Sequence, residues 1–177
     1  MAHLSAMRNT QLNNDDLLFY QGSLTRALEK LCGDEFRHIL HSETRQCPLP
    51  EERRLLNIRD GQYALIREIY LQCRKQRLVY GRTIVPLQTL TGRDRQLAHW
   101  GNRSIGDFLF REPHVRRGEI DIFRVGPKQK YFQLAGDGLS IRENFLWGRR
   151  SFFYLQYKPI LVVEIFLPDY RTCLNSR

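Results

Sequence analysis

The longest apolar segment of the chain runs from Ile160 to Leu167 and contains a single polar residue, Glu164. Alternate residues of a β-strand lie on the same face, so Val162 and Phe166 would share a face with this carboxylate. An unpaired carboxylate in such surroundings costs on the order of several kcal/mol or takes up a proton. The segment therefore predicts a strand on which Glu164 meets either a buried cation or a ligand.

Two arginines repeat this pattern earlier in the chain. Tyr63–Cys73 and Leu78–Pro86 alternate as strands and are joined by a polar turn, which predicts a hairpin. Arg67 lies at the centre of the more apolar face of the first strand. Arg82 lies between apolar neighbours on one face of the second. Both guanidinium groups are thus predicted on inward-looking faces of the sheet.

Two interpretations of these charges remain open at the level of periodicity. The first is a buried ion pair, for instance Arg67 with Glu164. The second is a closed pocket for a small anion, because arginine binds carboxylates with two parallel hydrogen bonds. In such a pocket a glutamate with a raised pKa can do acid–base chemistry.

The rest of the chain predicts short helices and further strands. One helix ends near Gln21, a second begins after Ser23 as N-cap and ends at Gly33. The other predicted elements are helices over Arg93–Trp100 and Ile105–Phe110, a strand over Phe36–Glu43, and hairpins pairing Glu119–Val125 with Lys130–Leu134 and Arg149–Tyr157 with Ile160–Leu167. Strands joined by short turns predict a single α+β domain over residues 15–168 with a largely antiparallel sheet. Residues 1–14 and 169–177 are predicted to be tails.

The net charge of +9 and the pI near 9.7 indicate an anionic partner, which could be nucleic acid, a membrane surface or a small anion. The basic residues are scattered, and clusters such as Arg149-Arg150 are interpreted as mostly solvated surface. No apolar run approaches the roughly 20 residues that span a bilayer, and no secretory signal is evident. The default expectation is a soluble, cytoplasmic protein.

Cysteine and histidine patterns predict no metal site. The four cysteines lie far apart without a CxxC pair, so zinc is improbable and reduced thiols are expected. The histidines form no ligand spacing, and His38 and His99 are interpreted as surface or core residues. No phosphate-binding glycine motif and no serine nucleophile motif is present.

Three blocks of sequence, taken together, resemble the chorismate pyruvate-lyases, and the resemblance covers about Asp15 to Pro168. The blocks are Ile66-Arg67-Glu68-Ile69 leading to Gly81-Arg82-Thr83-Ile84-Val85-Pro86, Ser104-Ile105-Gly106-Asp107-Phe108-Leu109-Phe110, and Leu146-Trp147-Gly148-Arg149-Arg150-Ser151 leading to Lys158–Pro168. The combination is specific, whereas any one block alone would be weak. The resemblance implies a six-stranded antiparallel sheet with a ligand enclosed beneath two helical flaps.

The resemblance also implies roles for five residues. Arg67 matches the arginine that holds the carboxylate of the ring, and Glu164 matches the essential glutamate near the ring hydroxyl. Ile105 and Leu24 match contacts made by the two flaps. Arg82 matches a second arginine near the cavity, which would handle the enolpyruvyl carboxylate or ligand access.

The implied activity is elimination of pyruvate from chorismate to give 4-hydroxybenzoate, the ring precursor of quinones such as ubiquinone or plastoquinone. Aromatisation drives this reaction, so no metal or other cofactor is expected. Proton transfer by Glu164 and an intramolecular route, in which the enolpyruvyl group accepts the proton, both remain open. Extra residues around Pro127–Phe145, relative to the bacterial form, are expected to extend a hairpin. A monomer is expected.

Two other functions are weighed against this carbon–oxygen lyase. The same fold serves as the effector-binding domain of some bacterial repressors, so the chain could be a sensor that binds an aromatic acid without turnover. The 14 residues before the fold are expected to be too few for a DNA-binding helix-turn-helix. Direct nucleic-acid binding would depend on the charge of +9 alone, and we expect none.

Overall fold

The computed structural model describes residues 14–91 and 105–171. The helices are α1 (Asn14–Phe19), α2 (Leu24–Cys32), α3 (Pro50–Leu56), α4 (Ile105–Arg111) and α5 (Lys130–Ala135). The strands are β1 (Phe36–Gln46), β2 (Ala64–Cys73), β3 (Gln76–Pro86), β4 (Val115–Val125), β5 (Leu146–Leu155) and β6 (Lys158–Phe166). They form one antiparallel sheet in the order β1-β2-β3-β6-β5-β4, which confirms the expected α+β fold. No helix in these ranges is long and apolar enough to cross a membrane.

Strand β6 lies in the middle of the sheet, between β3 and β5, and both of its faces are covered. Leu161, Val163 and Ile165 are fully buried on one face, which we call the rear face. Helices α3 and α5 pack on the rear face and contribute residues to its core. The opposite face carries Glu164 and Phe166, and we call it the flap face because α1, α2 and α4 cover it. This central position explains why the segment is apolar on both faces.

Helix α2 forms as its sequence predicts. The Ser23 hydroxyl accepts a hydrogen bond from the Arg26 backbone N–H at 3.3 Å, and Gly33 follows the helix with a positive φ of 54°. Leu24, Ala27 and Leu28 are buried against the flap face, at the spacing of one helical stripe.

The expectation of reduced thiols is wrong for two of the four cysteines. Cys32, at the end of α2, and Cys73, at the end of β2, form a disulfide with 5.9 Å between their Cα atoms. They are 41 residues apart, and only the pairing of β1 with β2 brings them together. Cys47 is free and exposed. Cys173 and the helix predicted over Arg93–Trp100 lie outside the described residues.

The hairpin predicted around Gly126-Pro127 is also wrong. Strand β4 is followed by helix α5, and β4 pairs with β5 instead. The extra residues around Pro127–Phe145 therefore include helix α5, which packs on the rear face. The last hairpin turns at Gln156-Tyr157, where φ is 49° and 70°, two residues before the predicted Lys158-Pro159.

Candidate active site

The sheet register brings charged residues of four strands together on the flap face. Arg67 on β2 lies directly opposite Glu43 on β1 and binds its carboxylate. The side chain of Arg67 is 1% exposed, and that of Glu43 is 18% exposed. Two residues further along the strands, Glu164 on β6 lies opposite Arg149 on β5. Two ion pairs thus stand side by side beneath α2 and α4.

Glu164 accepts a hydrogen bond from Arg149 Nε at 2.5 Å through its Oε2 atom. The Nη1 atom of Arg149 donates to the backbone oxygens of Leu17 at 3.0 Å and Tyr20 at 2.8 Å, at the end of α1. Arg149 therefore holds both the carboxylate and the chain segment that leads to α2. Because Oε2 is engaged, Oε1 of Glu164 is the oxygen left to accept from a ligand hydroxyl.

A cavity lies between the two ion pairs. It is lined by Thr25, His38, Arg67, Ile69, Leu71, Val79, Gly81, Thr83, Ile105, Gly106, Val162 and Glu164. Its volume is about 40 Å³, which is room for a few water molecules and too little for an aromatic ring. A ring-shaped ligand therefore requires the cavity to widen, and α2 and α4 are the helices that cover it.

Gly81 opens this cavity in the middle of the sheet. It lies between Ile69 on β2 and Glu164 on β6 in the cross-strand register. A Cβ atom at this position would lie 2.9 Å from Ile69 Cγ1, which is a steric clash. The missing side chain leaves the space in front of the carboxylate.

His38 is a further lining residue, on β1 opposite Leu71. Both ring nitrogens are shielded from solvent, and neither has a hydrogen-bond partner among the described residues. Burial, and then the positive charge of Arg67, lower the pKa of His38. The imidazole is therefore neutral at neutral pH and offers one N–H donor and one acceptor.

A third guanidinium group adds positive charge to the flap face. Arg117 on β4 donates to the Ser151 hydroxyl at 2.8 Å and to the backbone oxygen of Gln21. Burial, and then the nearby charge of Arg149, lower the pKa of Arg117. Arg117 thus adds positive charge beside the ion pair of Arg149 and Glu164, which favours an anionic ligand.

Three of the five site residues predicted from the sequence line the cavity in the structure. These are Arg67, Glu164 and Ile105. Leu24 is buried in the core beneath α2, and the neighbouring Thr25 reaches the cavity instead. The alternative ion pair between Arg67 and Glu164 is replaced by a separate partner for each.

The expectation that Arg82 lies near the cavity is wrong. Because Arg82 pairs with Glu68 in the register, both point to the rear face. Arg82 Nη1 donates to Glu68 Oε1 at 2.7 Å, and Arg82 Nε donates to Glu52 Oε1 at 2.7 Å. Burial lowers the pKa of Arg82, but the hydrogen bonds that it donates to Glu52 and the charge of that carboxylate raise it more, so the charge of Arg82 is permanent. It is a structural cation.

Tyrosines complete this rear-face network. Tyr80 donates to Glu68, and Tyr131 on α5 donates to Glu52 at 3.0 Å. Burial and these carboxylates raise the pKa of both phenols. The network attaches α3 and α5 to the sheet.

Sequence reasoning missed Arg149, Glu43 and His38 as members of the site. Arg149 alternates with Trp147 and Ser151 on β5, so its position opposite Glu164 follows once the last hairpin is in register. Glu43 becomes the neighbour of Arg67 only through an irregularity in β1 between Leu40 and Ser42, which shifts the pairing by one residue. No sequence period reveals such a shift.

Among the described residues, no group of three His, Cys, Asp or Glu side chains is arranged to hold a metal ion. The paired charges around the cavity suit an organic anion that also carries a hydroxyl group.

Comparison with known proteins identifies the family. A family model described as chorismate lyase matches residues 4–172. The probable chorismate pyruvate-lyase of Methylococcus capsulatus is 38% identical over 151 residues, which are 85% of this chain and 92% of that protein. The probable chorismate pyruvate-lyase of Coxiella burnetii is 35% identical over 156 residues, 88% and 83% of the two chains.

Solved structures support the fold at much lower identity. A GntR-family transcriptional regulator from Bacillus cereus superposes with a TM-score of 0.55 at 15% identity, over 77% of this chain and 94% of that one. The effector domain of PhnF from Mycobacterium smegmatis superposes with a TM-score of 0.55 at 17% identity, over 84% of this chain and 90% of that one. The sequence matches, which span most of the chain, go further than the fold: this chain belongs to the chorismate lyase family.

Proposed function

We propose that this chain is a chorismate pyruvate-lyase that converts chorismate to 4-hydroxybenzoate and pyruvate, without a cofactor. The observation that carries the proposal is that Arg67 and Glu164 line one cavity on the flap face. In the reaction the C3–O bond breaks and C4 loses its hydrogen as a proton. The enolpyruvyl group gains a proton at its methylene carbon and leaves as pyruvate, and the ring becomes aromatic.

Arg67 is assigned to the ring carboxylate. Its guanidinium group is held from one side by Glu43, so its orientation is set before the ligand arrives. The ligand carboxylate then binds a pre-oriented cation in a site that excludes water, where charged hydrogen bonds are strong.

Glu164 is assigned to the hydroxyl group at C4, para to the ring carboxylate. Arg149 balances its charge and leaves Oε1 as an acceptor. From this position Glu164 orients the ring for elimination, and it is close to C4, whose proton must leave. The proton goes either to this carboxylate or directly to the leaving enolpyruvyl group.

The product is expected to serve as the ring precursor of a quinone, and its release requires the flaps to open. Helices α2 and α4 are joined above the cavity by Arg26 and Asp107, with 3.1 Å between Nε and Oδ1. Such a closed site is expected to make product release slow.

A second candidate, a sensor of aromatic acids without turnover, is favoured by the likeness to a transcriptional regulator and to the effector domain of PhnF. One experiment separates the two. Purified protein in EDTA is mixed with chorismate, while 4-hydroxybenzoate is followed by absorbance and pyruvate by a coupled assay. Equimolar appearance of both products supports the lyase. Tight binding of 4-hydroxybenzoate without turnover supports the sensor.

A further inference from the structure

The flap face has a third polar position besides Arg67 and Glu164. His38 on β1 and Leu71 on β2 are cross-strand partners, and Leu71 lies four residues beyond Arg67. At about 3.4 Å per residue, this is roughly 14 Å along the strand. Glu164 belongs to the row between them, because its partner Gly81 pairs with Ile69. His38 and Glu164 thus flank the cavity in the rows beyond that of Arg67, one from the β1 side and the other from the β6 side.

The neighbours of His38 in the cavity wall include apolar side chains. Both nitrogens lack a partner in the described part of the chain, while Leu71 and Val79 line the cavity beside it. Buried polar atoms in proteins are nearly always bonded, so an unbonded imidazole in a ligand cavity indicates a partner supplied by the ligand. The charges that act on the ring are Arg67 on β2 and Asp107 on α4, and Asp107 is paired with Arg26.

The shape of the proposed substrate fits this third position. In chorismate the ring carboxylate at C1 and the hydroxyl at C4 are para to each other, and the enolpyruvyl ether is at C3, next to C4. With the ring carboxylate on Arg67 and the hydroxyl at Glu164, the enolpyruvyl carboxylate extends toward the end of the cavity where His38 lies. Arg82, the residue expected to bind it, points to the rear face.

We propose that His38 binds the enolpyruvyl carboxylate of the substrate through a ring N–H. This inference rests on the proposed function and names the residue that distinguishes substrate from product. Because 4-hydroxybenzoate lacks the side chain, His38 holds chorismate and not the aromatic product. The role is hydrogen bonding to a carboxylate and includes no proton transfer.

The test compares two ligands that differ only in the side chain. The probes are 4-hydroxybenzoate and its 3-carboxymethoxy derivative, which carries a second carboxylate at the position of the enolpyruvyl group. Their dissociation constants are measured by calorimetry, together with KM for chorismate. The variants are His38→Phe, which keeps a ring without nitrogens, and His38→Gln, which keeps an N–H donor. The control is His41→Phe. His41 lies on the same strand but does not line the cavity, and its ring makes an edge-to-face contact with Tyr70, with 5.4 Å between the ring centroids.

Because His38→Phe loses a hydrogen bond to a charged group, it is expected to bind the carboxymethoxy ligand roughly 10-fold or more weakly and to raise KM for chorismate by a similar factor. The 4-hydroxybenzoate affinity should stay within about 2-fold, His38→Gln should recover part of the loss, and His41→Phe should behave as wild type. Equal weakening of both ligands, or no change in either, would overturn the assignment. Since both probes bind without turnover, an inactive wild-type protein would reject the lyase while the ligand comparison still decides on His38.

Discussion

The two faces of the central strands carry the same kinds of residue and use them differently. Arg67 and Glu68 are adjacent in sequence, so they point to opposite faces. On the rear face Glu68 belongs to a network in which Arg82 bridges two carboxylates. On the flap face Arg67 and Arg149 each bind one glutamate, and a cavity separates the pairs. Buried charges therefore do not by themselves mark a functional site, whereas charged groups that line a cavity do.

The same substitution on each face gives the sharpest test of this contrast. Glu164→Gln removes the charge beside C4 and is expected to lower kcat by about 100- to 10,000-fold, the usual range for an acid–base or charge-stabilising group. The measurement is steady-state turnover of chorismate, with the melting temperature as a check of folding. The matched control is Glu68→Gln, which is expected to keep kcat and lose roughly 1–3 kcal/mol of stability, because its amide faces donors. A near-normal kcat in Glu164→Gln would remove this residue from the mechanism.

The arginines provide the second comparison. Arg67→Gln is expected to weaken 4-hydroxybenzoate binding by about 100-fold, since it takes the charged partner from a buried ligand carboxylate. Arg82→Gln is expected to cost about 3–5 kcal/mol of unfolding free energy, because Glu52 and Glu68 lose their shared cation. Calorimetric titration and urea unfolding measure the two effects. If Arg82→Gln remained stable and lost ligand affinity instead, the division between the faces would be incorrect.

These contrasts also mark the limits of reasoning from the sequence. Strand periodicity correctly predicted that Arg67 and Glu164 lie on inward faces. It placed Arg82 on an inward face too, and it could not say that this was the face without the cavity. That decision depends on which helices cover each face, and α5, which supplies Tyr131 to the Arg82 network, was predicted as a strand.

The ion-pair partners of Arg67 and Glu164 could not be predicted from the sequence for a similar reason. The partner of Arg67 is set by an irregularity in β1, and the partner of Glu164 by the register of β5 against β6. Neither has a local signature in the chain. His38 was interpreted as structural because a lone histidine usually is, and only its position above the cavity changes that interpretation.

Substitution of Gly81 tests the volume of the flap-face cavity and not its charge. In Gly81→Ala the added Cβ would meet Ile69 Cγ1 at 2.9 Å, so Ile69 must shift and the wall of the cavity changes. We expect roughly 10-fold weaker binding of 4-hydroxybenzoate and a stability loss of about 1–3 kcal/mol. Gly118→Ala on β4 is the control, because its nearest contact would be an ordinary 3.6 Å. Unchanged affinity in Gly81→Ala would mean that the ligand does not use this space.

Acid titration tests the rear face when wild type is compared with Glu68→Gln. Burial raises the pKa of Glu68, but hydrogen bonds from Ser42, Tyr80 and Arg82 outweigh it, and the folded-state pKa lies below its ordinary value. This group therefore stabilises the fold above its unfolded pKa near 4.5, and the contribution is lost as the pH falls through the lower folded value. Urea unfolding between pH 7 and 3 should show a steeper loss for wild type than for Glu68→Gln. Parallel curves would contradict the ionised network.

The smallest effect is expected at the contact between the two flap helices. The Arg26 and Asp107 side chains are 44% and 25% exposed, so the ion pair contributes only about 0.2–1 kcal/mol to the closed form. Arg26→Gln should therefore speed product release by about 2- to 5-fold, measured by stopped-flow displacement of 4-hydroxybenzoate, with little change in the melting temperature. Raising the salt concentration should reproduce this effect in wild type and not in the variant, because salt screens exposed pairs. If release in both proteins responded equally to salt, the pair would not be what keeps the flap face closed, and the restraint would lie in the apolar contacts of α2 and α4 with the sheet.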